Sequence, residues 1–140
     1  MLGLTSARHE DLLRELGATP VIYGDGQQDR IREAAGEAPV SAFIDCYGSG
    51  YVDLALALEV PAARINTAVD FGAAQQHGVR TWGTRDAGGT PALSDLADLA
   101  ARGELVIPIA ATFPLGDVID AYRRVVAPTG AGRVVLQPQR

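Results

Sequence analysis

Residues 2–23 read LGLTSARHEDLLRELGATPVIY. The first part is a short apolar run that stops at Thr5. Leu12, Leu13 and Leu16 then recur at the spacing that puts them on one face of a helix over 7–16. Gly17 follows as the residue that ends such a helix in a left-handed turn, and a second apolar run begins at 20–23. Strand, helix and strand within so short a span is one turn of an α/β unit, because two parallel strands need a crossover between them. Ser6 stands just ahead of the helical pattern with Glu10 close behind, and is predicted as its N-cap.

The same alternation continues through the chain. Strands are predicted at 1–5, 20–23, 42–46, 64–67, 79–83 and 132–137. Helices are predicted at 7–16, 27–35, 51–58, 69–76, 91–102 and 117–126. Periods of 2 and 3.6 alternate, which predicts a mainly parallel sheet with helices on its faces. Pro61, Pro108 and Pro128 mark breaks or edges. Gly88-Gly89-Thr90-Pro91 is a loop that opens a helix, with proline near its first position. No repeat, low-complexity linker or internal domain boundary stands out. The chain opens directly on a strand, as though something normally precedes it.

Length and charge narrow the function. The 140 residues are 47% hydrophobic and 21% charged, one ordinary domain's worth of chain. Seventeen acids oppose twelve bases, all arginine, for a net charge of -5, so neither a nucleic acid nor an anionic membrane is the expected partner. The lone Cys46 excludes an internal disulfide, and with two histidines it cannot build a cysteine-rich zinc lobe. No apolar run approaches the roughly 20 residues of a membrane span. The N-terminus has no basic, then long apolar, leader, so the expected compartment is the cytoplasm.

Four segments could carry chemistry. Leu4-Thr5-Ser6-Ala7-Arg8 closes the first strand. In dinucleotide folds the second strand ends at the adenosine ribose, where an acid suits NAD and hydroxyl plus arginine suit the 2′-phosphate of NADP. Thr5, Ser6 and Arg8 supply the second set, but taken alone this segment reads first as a plain helix cap followed by a solvated arginine, because such caps are common. Gly48-Ser49-Gly50 after an apolar run looks like the start of a phosphate-binding turn, with Asp70 about 20 residues on as a ribose ligand. Asp53 stands where the third glycine belongs and would repel a pyrophosphate, so a flexible strand-to-helix turn is the simpler reading. Cys46 reads as a small core residue at a buried strand end. His9 and His77 have polar surroundings and no metal spacing, and Asp95 with Asp98 forms a solvated helix face. The last segment, 112–124 leading into 130–136, reads as a turn, a helix, a glycine turn and a final strand.

Taken together, LGLTSARHEDLLRELGATPVIYGD, AFIDCYGSG, LADLAARGELVIPIAATFPLGDVIDAYRRV and GAGRVVLQ give the chain its family likeness. It resembles the C-terminal part of the medium-chain dehydrogenase/reductase superfamily, in particular its zinc-free, quinone-oxidoreductase-like members. The resemblance covers nearly all of the chain. It implies a three-layer, Rossmann-like, mainly parallel α/β fold and an NADP-dependent oxidoreductase. It places Thr5, Ser6 and Arg8 at the 2′-phosphate. It sets Tyr47 and Gly48 near the ribose or nicotinamide end, Phe113 and Leu115 at the substrate side, and Arg133 near the cofactor groove. It matches 79–82 to an edge strand through which members commonly dimerise. No residue is marked as catalytic and none as a metal ligand.

The departures carry expectations too. The family's first strand and glycine-rich turn lie just before position 1, and its catalytic domain before that, so residues 1–140 are expected to be a partial cofactor-binding domain, truncated at its centre. The family's acid-tyrosine pair is shifted to Tyr23-Gly24-Asp25, and Glu59-Val60-Pro61 replaces a glycine-containing turn. With spatial order 3-2-1-4-5-6, loss of strand 1 leaves the strands at 1–5 and 42–46 with open central edges. That vacancy is expected to close by direct pairing of the two, by a segment exchanged from another copy, or by a complementing chain. NADP binding by this chain alone is expected to be weak or absent. The competing function is a non-catalytic oligomerisation or binding module that kept the fold.

Overall fold

The computed structural model describes residues 1–127 and 132–138. Pro128 and the Gly130-Ala131 part of the glycine turn lie outside the described residues. The chain divides into two compact units, Met1–Gly89 and Thr90–Arg140. The boundary falls at the Gly88-Gly89 loop, where the sequence offered a turn but no domain junction.

The first unit holds β1 (Leu2–Thr5), α1 (Glu10–Glu15), β2 (Thr19–Ile22), α2 (Gln27–Ala35), β3 (Phe43–Asp45), α3 (Tyr51–Ala57), β4 (Ile65–Thr67) and α4 (Phe71–His77). β1 pairs β2 in parallel, Leu2 beside Thr19 and Thr5 beside Ile22. β3 pairs β4 in parallel, Phe43 beside Ile65 and Asp45 beside Thr67. The pairs are separate two-stranded sheets. This is the neighbour pattern of a Rossmann sheet that lacks its first strand. Direct pairing of β1 with β3, one of the three expected closures, does not occur.

One apolar core nonetheless serves both pairs. Val21 and Ile31 from one side join Val52, Ala55, Leu58, Val60, Ile65, Ala74 and Val79 from the other, with Leu2, Leu4 and Phe43 packed against them. Ile44 sits between the inward-facing Phe43 and Asp45, so strand alternation sends it to the opposite face. There it is 74% exposed.

Local chemistry adjusts the predicted boundaries. The helix over 7–16 begins as a 3-10 turn, Ala7–His9, before α1. Ser6 is therefore not its side-chain cap; its hydroxyl lies 3.3 Å from His9 Nδ1 instead. α1 reaches β1 through Gly3, where a Cβ would stand 2.8 Å from Leu13 Cδ1. Gly17 adopts φ +76, as its role at the helix end requires. The strand predicted over 79–83 shrinks to one parallel bridge, Asn66 to Arg80. The Asn66 side chain completes it, its Oδ1 accepting from Trp82 N–H at 2.7 Å and its Nδ2 donating to Trp82 O at 3.0 Å.

The second unit holds α5 (Thr90–Ala101), β5 (Ile109–Pro114), α6 (Val118–Val126) and β6 (Arg133–Gln137). β5 is a strand that the sequence reading missed, because Pro108 read as a break or edge and the residues from Thr112 on as a turn. Proline is tolerated at strand ends, where no ladder hydrogen bond is lost. β5 and β6 pair in parallel with a register shift between Ile109 and Ala111. Gly132 makes that possible. At φ +119 a Cβ there would lie 2.7 Å from Pro108 O, while Arg133 N–H donates to the same oxygen at 2.7 Å. Leu93 and Leu96, three residues apart on α5, are both exposed.

Candidate functional site at the strand ends of the first unit

Parallel α/β sheets present their ligands beyond the carboxyl ends of the strands. Four such ends lie in the first unit. At β1, Thr5 is buried and donates its hydroxyl to Ser6 O at 3.3 Å, and Arg8 is exposed. Glu10 and Asp11, at the start of α1, pair with Arg14 at 2.6 and 2.9 Å. His9 Nε2 is buried without a hydrogen-bond partner, alone in this among the described side-chain nitrogens and oxygens.

At β2 the turn is held from behind. Arg30 donates to Ile22 O through Nε (3.0 Å) and Nη2 (2.8 Å), and to Asp25 O through Nη1 (2.8 Å). Gln27 Oε1 accepts from Gly24 N–H at 3.1 Å. A planar five-donor cation suits such a cluster of carbonyls. The sequence reading missed Arg30; its one signal was a basic residue a helical turn beyond the glycine that opens α2.

At β3 the organiser is Asp45, 2% exposed. Its Oδ1 accepts from Tyr47 N–H and Gly48 N–H, each at 2.8 Å. Its Oδ2 accepts the Thr67 hydroxyl proton at 2.7 Å. At β4 the fully buried Thr67 accepts in turn from Asp70 N–H (2.9 Å) and Val69 N–H (3.3 Å). Buried polar groups must be paired, and this set pairs itself. Tyr47 is 77% exposed and meets Tyr51 edge-on at 5.5 Å between ring centres, and the Phe43 ring lies 6.5 Å from that of Tyr51. The Tyr51 phenol is held above its usual range, first by burial, then by Tyr47, Tyr23 and the Asp45 carboxylate.

Several predicted residues take other roles. Cys46, expected in the core, is exposed, because Asp45 occupies the inward position beside it. Gly48, Ser49 and Gly50 all have positive φ and deliver the chain into α3. Asp53 in that helix reaches His77 Nε2 at 3.1 Å. Asp70, offered by spacing as a ribose ligand, caps α4 by accepting from Ala73 N–H at 2.9 Å. Of the candidate cofactor residues, Thr5, Ser6, Arg8, Tyr47 and Gly48 lie at strand ends of the first unit. Phe113 and Arg133 belong to the second unit and are not brought together. Phe113 pairs Leu136 near the end of β5, while Arg133 pairs Ile109 at the start of β6, about 10 Å along the strands.

Parallel strand pairs with polar, hydroxyl-rich carboxyl ends define the class of α/β nucleotide-binding folds. Within it, residues 16–136 match the family described as zinc-binding dehydrogenase, and the chain belongs to that family. A crystal structure of a "putative alcohol dehydrogenase" from Sinorhizobium meliloti 1021 superposes with a TM-score of 0.72 at 16% identity, over 99% of this chain and 41% of that one. An alcohol dehydrogenase superfamily protein from Novosphingobium aromaticivorans does so with a TM-score of 0.68 at 17% identity, over 93% of this chain and 45% of that one. The chain thus spans less than half the length of these two structures. A comparison with curated proteins found no match. Among the described residues no three His, Cys, Asp or Glu side chains come together, so the donor set does not fit the zinc of the family's description.

Proposed function

We propose that residues 1–140 are the NADP-binding portion of a zinc-free oxidoreductase that passes hydride between NADPH and a carbonyl, quinone or activated alkene, working in the cytoplasm. The cofactor supplies the hydride when bound, and the protein supplies orientation. The observation that supports this reading is that Thr5, Ser6 and Arg8 fall together at the carboxyl end of β1, the kind of strand end at which dinucleotide folds meet the adenosine ribose. Tyr47 and Gly48 form a second contact at the end of β3. The fit is partial, since no described glycine-rich turn stands between β1 and β3 to hold a pyrophosphate. Binding by this chain alone is therefore weak or absent.

A second reading has its own observation. β1 and β3 keep unpaired central edges, and Ile44 is exposed beside one of them. These features suit a complementing strand, from a second copy or another polypeptide, and a module whose task is association. The bridge region 79–83 is the other edge open to a dimer partner.

Backbone amide shifts during titration with NADPH and NADH separate the readings. NADPH is expected to move Thr5, Ser6 and Arg8 at millimolar concentration, NADH less, and Arg8→Ala to abolish the difference. Tight NADPH binding would refute the incomplete site. Shifts confined to other residues would refute the assignment.

A further inference from the structure

The turn after β3 and the loop after β4 are joined by more than strand pairing. Thr67 donates to Asp45 Oδ2, Ala68 N–H donates to Asp45 O at 2.9 Å, and a Cβ on Gly48 would stand 3.4 Å from Val69 Cγ2. Asp45 is spent inside the protein: three donors occupy its two oxygens. Thr67 is equally enclosed, giving its proton to Asp45 and taking two from the backbone. Neither side chain can reach a ligand, yet every bond they make fixes a loop that borders the strand ends. Hydrogen bonds to a carboxylate are about twice as strong as neutral ones, and more so away from water.

We propose that Thr67 is a positioning residue which, through Asp45, sets the turn carrying Tyr47 and Gly48, so that the loops after β3 and β4 hold or loosen as one wall. Its consequence for cofactor binding rests on the nucleotide reading; the coupling itself does not. Thr67→Val keeps the volume and removes the hydroxyl. Asp45 then loses its third donor, and Val69 and Asp70 lose their acceptor.

The test is residue-resolved amide exchange on the whole chain without nucleotide, so failure of the nucleotide reading leaves its outcome unchanged. In Thr67→Val the Tyr47, Gly48, Val69 and Asp70 amides should exchange at least about tenfold faster, relative to β2 amides, than in the parent. Thr67→Ser, which restores the hydroxyl, should return all four close to the parent rates. If Thr67→Val does not fold, Asp45→Asn takes its place. It keeps an oxygen for Tyr47 and Gly48 but removes the acceptor of the Thr67 proton, and the same four amides should quicken together. Unchanged exchange at Tyr47 and Gly48, equal acceleration of β2, or a serine variant as fast as valine would overturn the proposal.

Discussion

The two units are built from the same parts and held in different ways. The first buries Val52, Ala55 and Ile65 completely and ties its strand ends with Arg30 and with the Asp45–Thr67 pair. In the second, Ala121 is the one buried residue among those described, although α6 carries Val118, Ile119, Tyr122, Val125 and Val126. Apolar content is therefore not what separates them. The first unit turns its apolar residues onto one another, while the second relies on the β5–β6 ladder and leaves its apolar helix faces open. Burial contributes about 25 cal/mol per Å² only where water is excluded, so the same residue type has different weight in the two places.

The largest test of this contrast is a pair of truncations. Ile65→Ala should destabilise the chain by about 2–5 kcal/mol, the range for a large residue removed from a packed core. Ile119→Ala, on the open face of α6, should change stability by no more than about 0.5 kcal/mol. Denaturant titration measures each, and equal effects would erase the distinction. Next comes Gly132→Ala. The added methyl meets Pro108 O in a backbone conformation that alanine avoids, so the β5–β6 pair should lose about 1–3 kcal/mol. A neutral result would mean that the ladder is not what holds the second unit.

The smallest effect concerns the strand ends of the first unit. The folded state keeps the Tyr51 proton more tightly than the unfolded chain does. As pH rises through about 10, the unfolded chain releases it first, binds fewer protons, and is favoured. Stability should therefore fall with pH above that point, and Tyr51→Phe should flatten the decline. Urea midpoints across the alkaline range decide it, and a parent curve as flat as the variant's would remove Tyr51 from the account.

Much of this was legible beforehand, in particular places. The βαβ rhythm of residues 2–23 announced β1, α1 and β2, and the family likeness named the superfamily that the chain belongs to. Thr5, Ser6 and Arg8 could be put at the end of β1 because strand ends are visible along the chain. β5 was missed because Pro108 read as a break or edge and the residues from Thr112 on read as a turn, although a strand end tolerates proline. Arg30 was missed because its partners are carbonyls, which every residue has and no residue type signals.

Periodicity and punctuation act over a few residues, so the chain's own order of side chains settled the helices, the first four strands and their parallel sense, though not β5 or the reduced edge at 79–83. Burial, edge pairing and hydrogen-bond closure act across residues far apart in the chain, and these needed the folded molecule. Asp45 meets Thr67 across 22 positions. Neither position announces the other, and only packing of β3 beside β4 makes one carboxylate the fastening of two loops.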